Sequence, residues 1–267
     1  MTERIDHLAR ISYQRFFRRY LRLAGMTGTA REVTGELWSV YRLATVRIPT
    51  NKPLRRKQWK NQIHTTQEEK WKSVVRRIQE VHGRGRPVLI GTRSVAASEH
   101  LSKLLTMARL PHQLLNARQD ADEAMIVAEG GGRGRITVAT NMAGRGTDIK
   151  LEAGVRELGG LHVIATELHE ASRIDRQLFG RCGRQGDPGT CEAIVSMEDE
   201  LAQTYLHKLL RKLGPLPVSR GLAVLFGSLV VRLAQRSAER LHFHIRRELL
   251  DMDEQLDSTL AFSGQAE

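Results

Sequence analysis

The sequence predicts an α/β fold, a parallel sheet with helices on both faces, followed by a long helical extension. Three observations carry that expectation. Short apolar runs alternate with helical stretches between residues 68 and 196, two glycine–arginine segments interrupt the alternation, and the spacing is helical from Glu198 onward. Strands covered on both faces read as continuous apolar runs, and each parallel pairing needs a crossover, usually a helix.

Residues 1–24 place Ile5, Leu8, Ile11, Tyr13, Phe16, Phe17, Tyr20 and Leu23 at steps near three and four with arginines between them, which predicts an amphipathic helix. Residues 24–30, AGMTGTA, break that pattern with two glycines. Thr29 is placed to cap the next helix, and the hydroxyls of Thr27 and Thr29 on either side of Gly28 can meet a phosphate or a neighbouring loop. Residues 45–53, TVRIPTNKP, read as a short strand leaving into an extended linker, because each proline biases its predecessor away from helix. A domain boundary is drawn there, giving segments 1–49, 50–197 and 198–267.

A helix over residues 68–82 turns Trp71, Val74, Val75, Ile78 and Val81 inward and stops at the Gly83-Arg84-Gly85 turn. Apolar runs at 87–92, 112–117, 135–140, 161–166 and 191–196 then alternate with helices at 94–108, 121–129 and 172–181. In such sheets ligands bind beyond the carboxyl ends of the strands. The tail breaks at Gly214-Pro215-Leu216-Pro217, and the apolar run 222–231 reads as a buried helix, about half of what a bilayer span requires. From Ala234 a seam of Ala238, Leu241, Ile245, Leu249, Met252 and Leu256 at steps of three and four predicts one long helix that packs along this domain or a partner.

Composition bounds the function. Formal net charge is +12, and the first sixty residues hold fourteen Lys and Arg against four Asp and Glu, so nearly all of the excess lies there. A basic arm of that kind meets nucleic acid, anionic lipid or an acidic protein surface, unless it is only a solvated face. Two cysteines without a Cys-x-x-Cys argue against a zinc site or a disulfide framework, so a reducing compartment fits. The N-terminus carries charge from Glu3 onward with no apolar segment of the secretory type, and a cytosolic protein is expected.

The chemistry concentrates in residues 140–149, TNMAGRGTDI, and 177–187, QLFGRCGRQGD. In both, arginines stand between glycines (Arg145 between Gly144 and Gly146, Arg181 and Arg184 around Gly183), so that guanidinium groups sit on turns a phosphate can approach closely. Phosphoryl transfer needs fixed positive charge where negative charge develops. One such run alone is a solvated loop; two, each following a strand or helix, point to one face of a nucleotide site. Arg181 and Arg184 are three apart, on nearly the same side of a helix.

These two motifs, with residues 159–189, GGLHVIATELHEASRIDRQLFGRCGRQGDPG, resemble the second motor domain of SecA, the ATPase that drives preproteins through the bacterial Sec channel. The likeness extends upstream through ISYQRFFRRYLRLAGMTGTA and downstream to AERLHFHIRRELLDMD, covering nearly the whole chain. It implies a RecA-like motor domain of helicase superfamily 2, preceded by the end of the first motor domain and followed by the start of a scaffold helix. By that resemblance Arg184 is the arginine finger with Arg181 beside it. Asp148 touches the nucleotide, and Arg145 links its motif to phosphate and to the opposite domain. Gln177 and Gln185 orient the loop or bond across the cleft, unless Gln177 and Asp148 only cap a helix or brace a turn. Thr27, Gly28 and Thr29 belong to the motif that couples the two motor domains. The cofactor implied is ATP, with Mg²⁺ held by residues outside this chain, and no metal ligand is assigned within it. The implied partners are an N-terminal half carrying the P-loop, the Sec channel, a preprotein and an anionic membrane surface, at which a cytoplasmic protein sits peripherally.

Departures from the family pattern accompany the likeness. No GxxxxGK followed by Ser or Thr occurs, nor an Asp-Glu-Ala-Asp strand end, so half of the catalytic machinery lies elsewhere. The family's preprotein cross-linking domain and cysteine-rich zinc tail have no counterpart. Asp120 stands where a His is common, and Phe179 and Cys182 replace the usual Arg and small residue beside the finger. A nucleic-acid motor subunit and a non-catalytic interaction protein are the competing expectations.

Overall fold

The computed structural model describes residues 11–115, 129–140, 147–204 and 227–262. Two compact units emerge, one of residues 49–238 and one joining residues 1–48 to 239–267. The tail drawn from the sequence as one segment from residue 198 is divided between them at residue 238.

In the larger unit, β1 (Arg56–Gln58), β2 (Gln62–His64), β3 (Val88–Thr92), β4 (Gln113–Leu115), β5 (Ile136–Thr140), β6 (Leu161–Ala165) and β7 (Gly189–Ser196) form one sheet. Its order is β1-β7-β6-β3-β5-β4, every pairing is parallel, and β2 continues the β1 edge along the second half of β7. The interruption between β1 and β2 is bridged, since the Trp59 amide donates to Cys191 O at 2.8 Å and the Ala193 amide to Asn61 Oδ1 at 3.2 Å. β1 and β2 differ from expectation: polar sequences at a sheet edge carry no apolar run, whereas the short strand expected within 45–53 does not form.

Helices α3 (Gln67–His82) and α4 (Val95–Met107) follow β2 and β3. Each opens on a hydroxyl cap, Thr66 accepting from the Glu69 amide and Ser94 from the Ala97 amide, and α3 stops at Gly83 as predicted. The pleat sorts the apolar runs into two cores. Val88, Ile90, Ile136, Val138, Ile164 and Ile194 pack with Val74 and Ile78 of α3 and Leu101 and Leu105 of α4. Leu89, Ala139, Val163, Ala165, Ala193 and Val195 pack on the other face with Leu178 and Phe179, from a helix α5 at Ser172–Phe179. Gly91 admits α5, for a Cβ there would lie 2.4 Å from a Leu178 methyl. Helices thus cover both faces. The helix predicted at 121–129 lies almost wholly outside the described residues, as do Asp120 and the 214–217 break.

The polar residues of β6 and β7 are buried with their partners. Glu192 Oε1 lies 2.7 Å from Arg77 Nε and 3.2 Å from His162 Nε2, with both His162 and Glu192 fully buried. Burial pushes the His162 imidazole below its ordinary value, the hydrogen bond to Glu192 only partly offsetting it. Burial alone would raise the Glu192 carboxyl, but hydrogen bonds from His162 and Gln62 and the Arg77 charge hold it below the usual carboxylate range.

In the smaller unit, residues 1–10 of the helix expected over 1–24 lie outside the described residues; within 11–24 only α1 (Tyr13–Arg18) is helical, and a 3₁₀ turn (Arg31–Val33) leads into α2 (Thr34–Tyr41). Ala30 holds the cap position that was assigned to Thr29. The last helix, α6 (Gly227–Phe262, 36 residues), begins in the larger unit and ends in the smaller one, seven residues earlier than the seam suggested. Within the smaller unit Arg246 of α6 makes a two-pronged ion pair with Glu36 at 2.6 and 3.0 Å. Leu229 and Leu241 are exposed while Val231, Ala234 and Ala238 are buried, so the buried face of α6 is narrower than its apolar content.

Candidate functional site

Helix α5 ends at Phe179 with Gly180 as its C-cap, so Arg181 and Arg184 stand on a turn and not on a shared helical face. The turn is tight: the Arg181 amide donates to Leu178 O at 3.0 Å, and the Asp187 amide to Arg184 O at 2.8 Å. Gly183, Gln185 and Gly186 all take left-handed backbone, with φ of 68°, 53° and 80°. Such a conformation is natural for glycine and costs a residue like Gln185 about 1–3 kcal/mol, which the surrounding turn must offset. Gly183 has a second reason: a Cβ there would lie 2.7 Å from Arg56 Cβ and 3.2 Å from Arg56 Cα. Arg56 also donates through Nη1 to Phe179 O at 3.1 Å, filling one of the carbonyls left open at the end of α5.

The turn directs both guanidinium groups at one place. Arg181 Nη1 donates to Thr147 O at 3.2 Å, and Arg184 Nη1 reaches the same carbonyl at 3.4 Å and Asp148 Oδ1 at 2.8 Å. Arg184 Nε is fixed by Gly180 O at 3.0 Å. The ion pair leaves Arg184 37% and Asp148 50% exposed, so it is worth only about 0–1 kcal/mol and is easily exchanged for a better anion. A phosphate oxygen placed at this edge would meet two guanidiniums aimed at one point.

The arginine pair stands at the amino ends of the strands, not at the carboxyl ends where it was expected. The arginine turn runs straight into β7 and packs on Arg56, which pairs with Gly189, the first residue of that strand. Asp148 arrives with a segment, residues 147–152, that lies beside the amino end of β5. Ile149 is buried in the core, and the Glu152 amide donates to Gly131 O, upstream of β5, at 3.2 Å.

The carboxyl ends are occupied otherwise. Lys70 Nζ, fully buried, lies 2.5 Å from Asp199 Oδ1 and 4.0 Å from Glu167 Oε1, while the Ser196 amide donates to Asp199 Oδ2 at 2.8 Å. Burial raises the Glu167 and Asp199 carboxyls, and Lys70 opposes the rise. Leu201, Ala234 and Ala238 close over Leu168 beside them.

The other candidates scatter. Gln177 lies on the exposed side of α5 and Gln185 at the exposed tip of the turn. Gly144, Arg145 and Gly146 lie outside the described residues. In the smaller unit Thr27 and Thr29 share a hydroxyl contact at 3.2 Å, the Thr29 amide donates to Thr27 Oγ1 at 3.2 Å, and nothing stands within 4 Å of a Cβ on Gly28. Among the described residues no group of His, Cys, Asp or Glu is arranged to hold a metal ion. Phe179 and Cys182, noted as departures, are buried under the turn and belong to the core. Arg56 was missed because its basic, proline-flanked surroundings read as linker.

Comparison with known proteins decides the ancestry. The family model for the SecA P-loop domain matches residues 53–155 and 152–214, more than half of the chain, and that for the SecA DEAD-like domain matches residues 1–38. The chain belongs to the SecA family. It is 52% identical over 268 residues to protein translocase subunit SecA 2 of Nitrosospira multiformis, covering 100% of this chain and 40% of that protein. With protein translocase subunit SecA 2 of Bordetella avium it shares 54% over 268 residues, 97% of this chain and 40% of that protein. Among solved structures, that of the E. coli DEAD-box protein SrmB bound to RraA overlays with a TM-score of 0.43 at 20% identity, over 62% of this chain and 88% of that one. This SecA-family chain thus spans about two fifths of the length of these two relatives. No helix among its described residues is long and apolar enough to cross a membrane.

Proposed function

We propose that the chain is the part of a SecA-type protein translocase motor that supplies the arginine-finger wall of an ATP site, the P-loop and Mg²⁺ ligands coming from residues outside this sequence. The observation that carries the reading is the convergence of Arg181 and Arg184 on Thr147 O and the half-exposed Asp148. ATP, when bound, supplies a transferable phosphoryl group and the negative charge these guanidiniums would face. Arg184 gives up its weak pair with Asp148 and is held in place through Nε by Gly180 O. Arg181 keeps the turn docked on Thr147. A fixed guanidinium at the developing charge is typically worth about 10³ to 10⁵ in rate. Gly144, Arg145 and Gly146 belong to the same wall by motif, Gln177 and Gln185 flank it, and Thr27, Gly28 and Thr29 serve as the coupling motif between motor domains. The segments 1–49, 50–197 and 198–267 are the end of the first motor domain, the second motor domain and the scaffold segment. The motor works on preprotein at the Sec channel, from the cytoplasmic side of an anionic membrane.

The test is reconstitution. Mixed with a SecA-like polypeptide carrying GxxxxGKT, the chain should raise ATP hydrolysis well above either component, and Arg184→Ala should abolish the gain. No gain on mixing, or a gain that Arg184→Ala leaves intact, overturns the reading.

A further inference from the structure

The segment between β6 and the arginine turn is clasped from outside by the long helix. Gln235 of α6 donates through one amide nitrogen to Asp175 Oδ2 at 2.7 Å and to His169 O at 2.8 Å. The other oxygen of Asp175 accepts from the His169 amide at 3.0 Å and lies 2.6 Å from His169 Nδ1. His169 and Asp175 are buried, at 7% and 5% exposure, so these bonds are made away from water, where losing one partner strands the others. Asp175 sits in the first turn of α5, and the same short helix ends at the Gly180 whose carbonyl fixes Arg184. Apolar contact at this point is slight: Ala234 and Ala238 bracket Gln235 and pack with Leu168 and Leu201, two of the four being alanines. The polar clasp is therefore a specific, buried link between α6 and α5.

We infer that Gln235 is a positioning residue for the arginine turn, a contact through which α6 holds α5 and so helps to set where Arg181 and Arg184 stand. The inference rests on the proposed function only for its kinetic consequence. An eight-residue helix has little intrinsic stability, so its placement follows its anchors. One anchor is the Leu178 and Phe179 packing at its end and the other is the clasp at its start. A displacement of α6 at Gln235 would be felt by α5 as a loss or tilt of the Asp175 bond, with the turn moving as part of the same short element.

The test uses the full chain and hydrogen exchange read by mass spectrometry. Gln235→Leu removes both donors at similar volume, and Gln235→Glu places an acceptor against the Asp175 carboxylate. Either should speed exchange in peptides covering residues 172–187 by about tenfold, the scale of one lost buried hydrogen bond to a charged group, while β3 and β5 peptides keep the parent rate. The pair Asp175→Asn with Gln235→Glu restores the bond between positions 175 and 235 but not the one to His169 O, and should return residues 172–187 part of the way from the Gln235→Glu rate toward the parent rate. Unchanged exchange over 172–187 in both single variants overturns the inference. So does an equal rise in β3 and β5, which marks general destabilisation, and so does an exchanged pair that exchanges over 172–187 no more slowly than Gln235→Glu alone. In the reconstituted ATPase, Gln235→Leu should lower kcat with KM nearly unchanged. If the parent reconstitution shows no ATPase, the proposed function fails while the exchange result still decides the role of Gln235.

Discussion

The two ends of the parallel sheet use the same kinds of residue in opposite ways. At the carboxyl ends, Lys70, Asp199 and Glu167 are drawn inward and the start of α6 closes beside them. At the amino ends, Arg181 and Arg184 are held by backbone carbonyls and one half-exposed carboxylate. The buried cluster is costly to break and useless to a ligand. The exposed one contributes little to stability and is free to change partners. Open α/β sheets ordinarily put their ligands at the carboxyl ends. Here the carboxyl ends of β6 and β7 form a structural joint, and the two arginines stand instead on the turn that enters β7.

The contrast breaks first where burial is deepest. Lys70→Met leaves the buried Asp199 without its cation, held only by the Ser196 amide, and chemical denaturation should show a loss of about 3–5 kcal/mol. A loss below 1 kcal/mol would mean that water reaches this joint. Next is the turn itself: Gly183→Ala forces a Cβ onto Arg56 in left-handed backbone, and unfolding should become easier by about 1–3 kcal/mol.

A smaller effect belongs to His162. Its imidazole is pushed below its ordinary value by burial, so below about pH 6.5 the unfolded chain takes up a proton that the folded chain refuses. Stability should therefore fall as pH drops from 7 to 5, by at most about 1.4 kcal/mol per unit from this one group, and His162→Gln should flatten the slope. An unchanged slope would show that other groups, His64 among them, set it. The smallest effect on stability is expected at the exposed end, where Arg184→Ala should change the unfolding free energy by no more than about 1 kcal/mol.

What was legible follows the same division. Apolar runs and hydroxyl caps announce themselves at short range, so β3, β5, β6, β7, α3 and α4 were readable to within a residue or two. The arginine turn was readable as a motif because glycine and arginine at fixed spacing have few other uses. Its position was not. Nothing local in TNMAGRGTDI says that its last residues lie beside the amino end of β5, since that depends on Ile149 finding the core and Glu152 finding Gly131. β1 and β2 were missed for a related reason: RKQ and QIH become strands only because β7 offers an edge. The Gln235 clasp joins residues sixty apart or more, and a polar residue on a long helix gives no sign of its partner.

Under the proposed function, Arg184 contributes little to the fold and most of its value to catalysis. The direct measurement pairs the unfolding free energy of Arg184→Ala with its ATP hydrolysis rate when reconstituted with a GxxxxGKT-bearing half. The account predicts nearly parental stability and a rate lower by about 10³ to 10⁵. A variant that unfolds easily yet hydrolyses ATP at the parental rate would contradict it.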